Sequence, residues 1–394
     1  MRSPSRVLVA GGGVAALEAV LALQELAADR LAIALLTPRR RFEYTPLAVA
    51  EPFDLGRAHR FELTEIMRER GVEPIVDALA AVDPARREAR TASGQLVSFD
   101  ALLVAIGARR RSALAGAVTF SGPRANADLR RLLREAVEGS IRRLVFAVPA
   151  GVTWSLPVYE LALMTSAHLA ERELGIEIAL VTPEPRPVDA FGARSSAAVE
   201  EMLELRGIAF HSAVPLRAEP GRLVLDAGEQ IAADAVVALP RLLAPAIPGL
   251  PQGEGGFLPV DEHGRLPGLD GIYGAGDVTT FPLKQGGIAA QQADAAAESI
   301  AADLGAAIEP APFRPVLRGL LLTGRAPRYL RAEVRRGAPA RSTVAEEAIW
   351  WPPVKIAGRR LGPFLALQGV PGGPPPDALA LELEAANGDA VPPA

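Results

Sequence analysis

Two stretches of the chain repeat one pattern of apolar and polar positions. Each begins with a short apolar run, continues through a glycine-containing loop into a segment of helical periodicity, and then has a second apolar run with Thr-Pro near its end. The apolar runs are Arg6–Ala10 and Leu31–Arg39 in the first stretch and Arg143–Val148 and Glu177–Arg186 in the second, and the helical segments are Ala15–Ala28 and Pro157–Leu174. Runs without alternation indicate strands covered on both faces, and strands that alternate with helices form parallel sheets. The pattern therefore predicts an α/β fold with two doubly wound domains.

Composition limits the chemistry available to the chain. With 42 basic and 46 acidic side chains the formal net charge is −4, which gives no electrostatic footprint for nucleic acid. Cysteine is absent, so disulfides, a catalytic thiol and cysteine-ligated metal clusters are excluded. The four histidines stand far apart without metal-ligand spacing, so we expect no metal centre. No apolar run reaches the ~18 residues of a membrane span, and we expect a cytoplasmic protein.

The first glycine loop has the spacing of a dinucleotide-binding site. Gly11, Gly13 and Ala16 form G-x-G-x-x-A directly after a predicted strand and at the start of a predicted helix. Gly11 permits a tight turn, Gly13 lets the backbone approach a pyrophosphate, and Ala16 keeps the helix close to the sheet. The start of that helix then offers free N–H groups to the phosphates. The alternative is a glycine-rich turn that binds no ligand.

The end of the second predicted strand departs from the usual dinucleotide-binding pattern. Thr37 stands where an acidic residue commonly binds the ribose hydroxyls, and a threonine hydroxyl binds them more weakly than a carboxylate does. Arg39 follows and is a candidate for contact with phosphate or adenine. A solvated basic loop is an equally good interpretation of Arg39.

A second motif, near residue 276, indicates which dinucleotide is bound. Gly276 and Asp277 end another predicted strand, and Lys284 and Gln285 precede a long alanine-rich helix. These residues resemble the second FAD motif of the two-domain FAD-dependent pyridine nucleotide oxidoreductase superfamily. The resemblance implies that Asp277 binds the ribityl chain, and that the helix start and Lys284 face the flavin pyrimidine edge, where reduced flavin is negative. The alternatives are a plain helix N-cap for Asp277 and a solvated loop lysine for Lys284.

Within this superfamily the chain is most similar to the group of sulfide:quinone oxidoreductases, flavocytochrome c sulfide dehydrogenases and type II NADH dehydrogenases. The resemblance covers about residues 6–305 and rests chiefly on the two FAD motifs. Further similarity lies in Phe42–Pro46, Leu102–Gly107, Gly151–Glu160 and Val188–Gly207. It implies that Pro46, Ala105 and Gly107 contact the cofactor.

The repeat and the order of the motifs imply that the first domain is interrupted. We expect a Rossmann-like FAD-binding domain made of residues 1–112 and 235–309, and a Rossmann-like, NAD(P)-binding-like domain at 113–234 inserted into it. Pro310 and Pro312 mark the start of a C-terminal α+β segment, residues 310–394, in which Arg314–Leu322 is a predicted strand. The chain after Pro371 is rich in proline and glycine, and we expect its end to be mobile.

Two features depart from the group that the chain resembles. Sulfide oxidation in that group depends on cysteines, and Trp154 occupies one of their positions here, so we do not expect sulfide as the electron donor. The second glycine loop, Pro149–Gly151, has a single glycine, and its proline lacks an N–H donor. NAD(P)H is therefore a doubtful second ligand. Glu184 fits either a ribose ligand or a surface carboxylate.

Trp350 and Trp351 are the distinctive part of the C-terminal segment. In the enzymes that the chain resembles, a C-terminal segment covers the flavin and borders a quinone site. The two tryptophans could line such a site or anchor the protein at a membrane interface. Aromatic packing on the flavin domain is the alternative.

Together these features predict an FAD-dependent oxidoreductase. We expect it to pass electrons from an unidentified small-molecule donor through the flavin to a quinone-like or other small acceptor. The alternatives are a non-catalytic FAD-binding partner or sensor protein, and an NAD(P)H:quinone reductase. Peripheral contact with the cytoplasmic side of a membrane is compatible with either enzyme.

Overall fold

The computed structural model describes residues 3–335 and 338–370 of the chain. Its helices in this part of the chain are α1 Val14–Ala27, α2 Leu63–Glu69, α3 Asn126–Val137, α4 Leu156–Ala170, α5 Ala193–Leu205, α6 Gly286–Asp303 and α7 Leu361–Leu367. None of the described helices is long and apolar enough to cross a membrane.

The strands follow in chain order. The first ten are β1 Ser5–Ala10, β2 Leu31–Leu36, β3 Arg41–Tyr44, β4 His59–Glu62, β5 Glu73–Ile75, β6 Leu79–Asp83, β7 Glu88–Thr91, β8 Leu96–Ser98, β9 Ala101–Val104 and β10 Arg109–Arg111. The next eight are β11 Val118–Thr119, β12 Arg143–Ala147, β13 Glu177–Thr182, β14 Ile208–Ser212, β15 Pro215–Glu219, β16 Arg222–Leu225, β17 Gln230–Ala232 and β18 Ala235–Ala238. The last are β19 Arg241–Leu243, β20 Ile272–Gly274, β21 Val316–Leu321, β22 Arg328–Arg335 and β23 Ala338–Ala345.

The first large sheet is parallel and has five strands in the order β20–β9–β1–β2–β5. In β1 the residues from Val7 to Ala10 are fully buried, because the sheet is covered on both faces. Helices α1 and α6 pack together on one face, and their many alanines let the two backbones approach closely. The predicted strands, helices and parallel pairing of the first half are confirmed.

The second large sheet repeats this plan in the order β11–β18–β12–β13–β14. A two-stranded antiparallel ribbon, β10 with β19, carries the chain from the first sheet to the second and back. Strand β18, Ala235–Ala238, pairs with β12 and therefore belongs to the second sheet. The predicted boundary at residue 235 lies one strand too early, because this run is the second copy of the β9 run and takes the equivalent place in its own sheet.

The C-terminal segment forms an antiparallel sheet, β21–β22–β23, followed by α7. This agrees with the α+β character predicted for it, and β21 lies within the predicted strand Arg314–Leu322. Strand β21 is joined to α6 by Gln291, whose side chain bonds both the N–H and the C=O of Val316, at 2.8 and 2.9 Å. The chain after Pro371, predicted to be mobile at its end, lies outside the described residues.

Candidate functional site

The first glycine loop is closed on one side and open on the other. Gly11 has a φ of +139°, and a Cβ there would lie 2.2 Å from the carbonyl oxygen of Ala105. A Cβ at Gly12 would lie 2.4 Å from Oγ1 of Thr37. A Cβ at Gly13, the N-cap of α1, would have no protein atom within 4 Å. The loop thus packs against the ends of β2 and β9 and leaves the α1 N-terminus accessible, as a pyrophosphate requires.

Thr37 and Arg39 lie at the same sheet edge as this loop. The Thr37 hydroxyl accepts the backbone N–H of Arg39 at 3.3 Å, and its own proton has no acceptor among the described residues. Thr37 is buried, while the Arg39 side chain is exposed. The structure therefore brings Gly11, Thr37 and Ala105 together. It also adds Gly12, which the motif reading passed over because the G-x-G pattern treats that position as free.

The second motif lies between the two packed helices. Gly276 has a φ of +82°, and a Cβ there would lie 3.1 Å from Cβ of Ala15 and 3.3 Å from Cβ of Ala289. Its backbone N–H donates to Oε1 of Gln292 on α6 at 2.8 Å. Gln292 thus fixes the turn that presents Asp277. The sequence gives no sign of this role, because 16 residues separate Gln292 from Gly276.

Asp277 is half-buried, and its carboxylate makes no hydrogen bond to any described residue. Burial raises its pKa, and the positive charges of Lys284 and Arg110 act against that rise. Arg110 interacts electrostatically with Asp277 and Arg39, so it borders the same cleft, although the sequence reading did not single it out. A half-buried carboxylate without a hydrogen bond to the protein leaves its oxygens available to donors of a ligand. Asp277 therefore fits the hydroxyls of a ribityl chain.

The Lys284 side chain is fixed by contacts with neighbouring protein groups. Its ammonium donates to the carbonyl of Thr279 and lies 4.0 Å from the centre of the Phe257 ring. Burial lowers the pKa of Lys284 to about 8, against the opposing effect of Asp277. The solvated-loop interpretation does not describe this half-buried side chain. Its influence on the flavin remains a prediction.

Gln285 is a helix cap in this structure. Its Oε1 accepts the backbone N–H of Ile288 at 2.9 Å, and its Nε2 donates to the carbonyl of Arg318 at 3.2 Å. Both polar side-chain atoms are therefore committed to the protein, and a contact with a cofactor would have to come from its backbone.

The remaining predicted cofactor contacts lie on flanking turns. Pro46 opens a short 3-10 turn directly after β3. Gly107, with a φ of +70°, leads from the end of β9 into β10. Tyr44, two residues before Pro46, accepts the backbone N–H of Ile356 at 3.2 Å. The C-terminal segment therefore reaches Tyr44 at the end of β3.

The second glycine loop is poorly suited to a pyrophosphate. Gly151 has a φ of +76°, but Pro157 in the first turn of α4 has no N–H to offer. The Glu184 carboxylate accepts hydrogen bonds from Ser155 Oγ at 2.9 Å, Tyr159 OH at 2.7 Å and Thr182 Oγ1 at 3.1 Å. Burial raises its pKa. Glu184 is thus a half-buried carboxylate that already accepts three hydrogen bonds from the protein.

The two C-terminal tryptophans differ in their surroundings. Trp350 is 2% exposed, its indole N–H donates to the carbonyl of Val354 at 3.0 Å, and its ring lies 5.0 Å from that of Tyr329. Trp350 thus packs within the C-terminal segment itself, whereas the packing alternative placed it on the flavin domain. Trp351 is half-buried. Trp154, at the place of a cysteine in the resembled group, is also half-buried, with its ring 5.8 Å from that of Phe191.

A family model described as pyridine nucleotide-disulphide oxidoreductase matches residues 5–298. The chain belongs to the pyridine nucleotide-disulphide oxidoreductase family. It is an FAD-dependent oxidoreductase, which confirms the expected enzyme class and cofactor. Because cysteine is absent, this member of the family has no redox disulfide of its own.

The curated relatives of this family member are distant. A NADH dehydrogenase-like protein of Mycobacterium tuberculosis is 27% identical over 292 residues, which are 70% of this chain and 72% of the relative. A sulfide-quinone reductase of Aquifex aeolicus is 27% identical over 236 residues, 56% of this chain and 54% of the relative.

Solved structures confirm the two-domain fold. The sulfide:quinone oxidoreductase of Aquifex aeolicus superimposes with a TM-score of 0.78 at 20% identity, over 87% of each chain. A ferredoxin reductase of Rhodopseudomonas palustris gives 0.63 at 20% identity, over 84% of this chain and 82% of the other.

Proposed function

We propose that the protein passes electrons through bound FAD to a quinone-like acceptor. The observation that carries this proposal is a set of half-buried apolar side chains that all pack against one hydrophobic cluster: Trp154, Phe281, Leu283, Phe313 and Leu322. The rings of Phe281 and Phe313 are 5.1 Å apart. Apolar and aromatic side chains of this kind bind flat, largely apolar ligands.

The residues of this chain have distinct roles in the proposal. FAD supplies the electron-transfer chemistry when bound. Gly11, Gly12 and Gly13 bring the backbone to its pyrophosphate, and Asp277 accepts hydrogen bonds from its ribityl chain. The α6 N-terminus and Lys284 favour negative charge at the flavin pyrimidine edge.

The C-terminal segment covers the start of α6. A Cβ at Gly286, the first residue of α6, would lie 2.7 Å from Cδ1 of Ile356, so this side chain packs closely on the helix end. The covering segment lowers the exposure of the helix end to water, which strengthens the electrostatic effect of the helix on a bound anion.

The electron donor in this proposal is a small molecule other than sulfide, because no cysteine can accept sulfur. NAD(P)H is the second candidate donor. The NADH dehydrogenase-like relatives favour it, and the three hydrogen bonds that Glu184 already accepts from the protein oppose it. We propose the cytoplasm, or the cytoplasmic face of a membrane, as the location.

Reoxidation of the reduced protein tests the acceptor. FAD-loaded protein is reduced anaerobically with dithionite and mixed with ubiquinone-1, and the return of flavin absorbance near 450 nm is followed. We expect complete reoxidation in less time than free reduced FAD requires. Reoxidation no faster than that of free reduced FAD would contradict a quinone acceptor. Anaerobic titration with NADH and NADPH then tests the second candidate donor.

A further inference from the structure

A buried acidic cluster lies where α1, α6 and the loop before α7 meet. Glu18 of α1 is fully buried, although the other buried residues of this helix are all apolar. Asp294 of α6 lies beside it, and the two carboxyl groups hydrogen bond to each other. Because an ionised carboxylate only accepts hydrogen bonds, this contact requires that the pair holds one proton.

Glu18 also holds the loop that precedes α7. Residues 352–360, which lie in the connection from β23 to α7, are called the covering loop here, because Ile356 in it packs on the start of α6. Oε1 of Glu18 accepts the backbone N–H of Arg360 at 2.6 Å, and Oε2 accepts that of Leu361 at 2.8 Å. The start of a helix leaves such N–H groups without partners in the helix. Glu18 therefore caps α7 from a different helix and attaches the loop to α1.

A single enclosed cation balances this cluster. The Arg360 side chain is 6% exposed, and its guanidinium lies 2.7 Å from Oδ1 of Asp294 and 2.9 Å from Oε2 of Glu25. A Cβ at Gly358 would lie 2.2 Å from Oε2 of Glu18, so the loop backbone passes directly over that carboxyl group. Glu25 is more than half exposed, and solvent screens its charge. With one proton between Glu18 and Asp294, one enclosed negative charge faces one enclosed positive charge. Without it, two negative charges face that cation.

The pair retains its proton because the closed loop keeps it enclosed. Burial raises the pKa of Glu18, and burial together with the charge of Glu18 raises the pKa of Asp294 well above its usual value. The charge of Arg360 and the hydrogen bonds from the loop act against these rises. When the loop is open, water reaches both carboxyl groups and their pKa values return toward normal. The closed loop thus binds a proton that the open loop releases.

Other titratable groups face the loop without sharing this proton. Arg359 lies 3.9 Å from Glu298 of α6. Lys355, one of two lysines in the chain, forms a buried ion pair with Glu160 of α4, at 2.5 and 2.6 Å from the carboxylate oxygens. Burial raises the pKa of Tyr44, which keeps this hydroxyl neutral. Each ion pair has one charge of either sign, so the excess of acid lies at Glu18 and Asp294.

We propose that the covering loop closes over the start of α6 while Glu18 and Asp294 share a proton, and opens when the pair loses that proton to solvent. Movement of α1 away from α6 does not relieve the repulsion, because alanines hold these helices in close contact. The loop moves instead and admits water to both carboxylates. The closed form is fully favoured below the ordinary carboxyl pKa and weakens as the pH rises through the raised one. The inference does not depend on which acceptor the protein uses.

Hydrogen–deuterium exchange of the FAD-loaded protein, between about pH 6 and pH 9, follows the loop directly. The readout is the protection factor of peptides that contain the N–H groups of Arg360 and Leu361, corrected for the pH dependence of intrinsic exchange. Because opening releases one proton, the protection of the wild-type protein should fall by up to about tenfold per pH unit. Peptides from the buried strand β1 should stay protected throughout.

Three variants identify the group that titrates. The amide in Asp294→Asn donates to Glu18 and accepts from Arg360 at every pH, so protection of the loop should no longer depend on pH. Glu298→Gln is the matched control, one turn further along α6, and should keep the slope of the wild type. Glu18→Gln leaves one acceptor oxygen for two N–H groups, so protection should be low at every pH. Melting temperature and FAD content are measured for each variant.

Three results would overturn the proposal. The first is a protection factor of the wild-type loop that does not change with pH. The second is a wild-type slope in Asp294→Asn, because another group such as Lys355 would then be titrating. The third is a parallel loss of protection in β1, which would indicate unfolding of the whole protein. If Asp294→Asn does not fold, Glu18→Gln decides, and wild-type protection in that variant overturns the proposal. No electron acceptor enters this measurement, so its result is independent of the ubiquinone-1 test.

Discussion

Gln292 holds Gly276 through a hydrogen bond of 2.8 Å from the glycine N–H to the side-chain oxygen, so a residue inside α6 fixes the turn that carries Asp277. For Gln292→Ala we expect a weaker FAD complex, with the Kd raised about fivefold, since a lost hydrogen bond costs ~1 kcal/mol. Fluorescence titration of the apoprotein measures this. Gln291→Ala is the matched control, because Gln291 bonds β21 and not the Asp277 turn. An unchanged Kd for Gln292→Ala would remove Gln292 from the site.

Substitution of Gly13 should abolish FAD binding, whereas substitution of Gly11 should lower the stability of the protein. In Gly13→Val the new Cβ meets no protein atom, so we expect a protein that folds with a near-normal melting temperature but does not retain FAD. In Gly11→Ala the new Cβ would meet the Ala105 carbonyl oxygen at 2.2 Å, so stability itself should fall. The melting temperature of the apoprotein reports the loss of stability, and the FAD content after loading reports the loss of binding. A yellow Gly13→Val protein would contradict the pyrophosphate assignment.

Lys284→Met should keep FAD and lower its midpoint potential by some tens of millivolts, since ~1.4 kcal/mol corresponds to ~30 mV for a two-electron couple. The lysine is charged below its pKa of about 8 and neutral above it. The difference from wild type should therefore be largest below pH 8 and shrink as the pH rises through that value. Spectroelectrochemical titration measures it. Lys284→Arg is the control and should match the wild-type potential below pH 8, but above pH 8 its potential should exceed that of wild type, because arginine stays charged there. Equal potentials for wild type and Lys284→Met would show that Lys284 does not act on the flavin.

Glu184 should matter for stability and not for pyridine nucleotide. Its removal in Glu184→Ala leaves the hydroxyls of Ser155 and Tyr159 without their acceptor, which should cost about 1–3 kcal/mol of unfolding free energy. Glu177 is an exposed carboxylate at the start of β13, the strand that ends two residues before Glu184. Glu177→Ala should therefore lower the unfolding free energy only slightly. Urea denaturation measures both. If NADH rapidly reduces the flavin of the wild-type protein but not the flavin of the Glu184→Ala variant, Glu184 is a nucleotide ligand after all.

The sequence predicts those site residues that lie within a few positions of each other along the chain. Gly11 and Gly13 follow a strand within a few residues, and Gly276 and Asp277 end another, so strand and turn place them together. Arg110 was missed because its proximity to Asp277 depends on how the β10–β19 ribbon crosses between the sheets.

The other residues that the sequence reading missed act across long separations. The Lys355–Glu160 pair joins residues 195 positions apart, and no periodic pattern reports such a contact. Gln285 shows the reverse case. Its position matched a cofactor motif, but its side chain instead accepts a hydrogen bond from a backbone N–H at the start of α6, which would otherwise have no partner in the helix.

The scarcity of lysine makes the protein surface unusually unreactive toward reagents that modify amines. Its only side-chain amines are the half-buried one at Lys284 and that of Lys355, whose side chain is 8% exposed and pairs with Glu160, so reagents that acylate amines meet no fully exposed lysine. Acetylation of the native protein would therefore report on Lys284, beside the proposed flavin site, with little background from other lysines. Mass spectrometry of the apo and FAD-loaded protein after brief exposure to acetic anhydride would then measure cofactor occupancy from a single site.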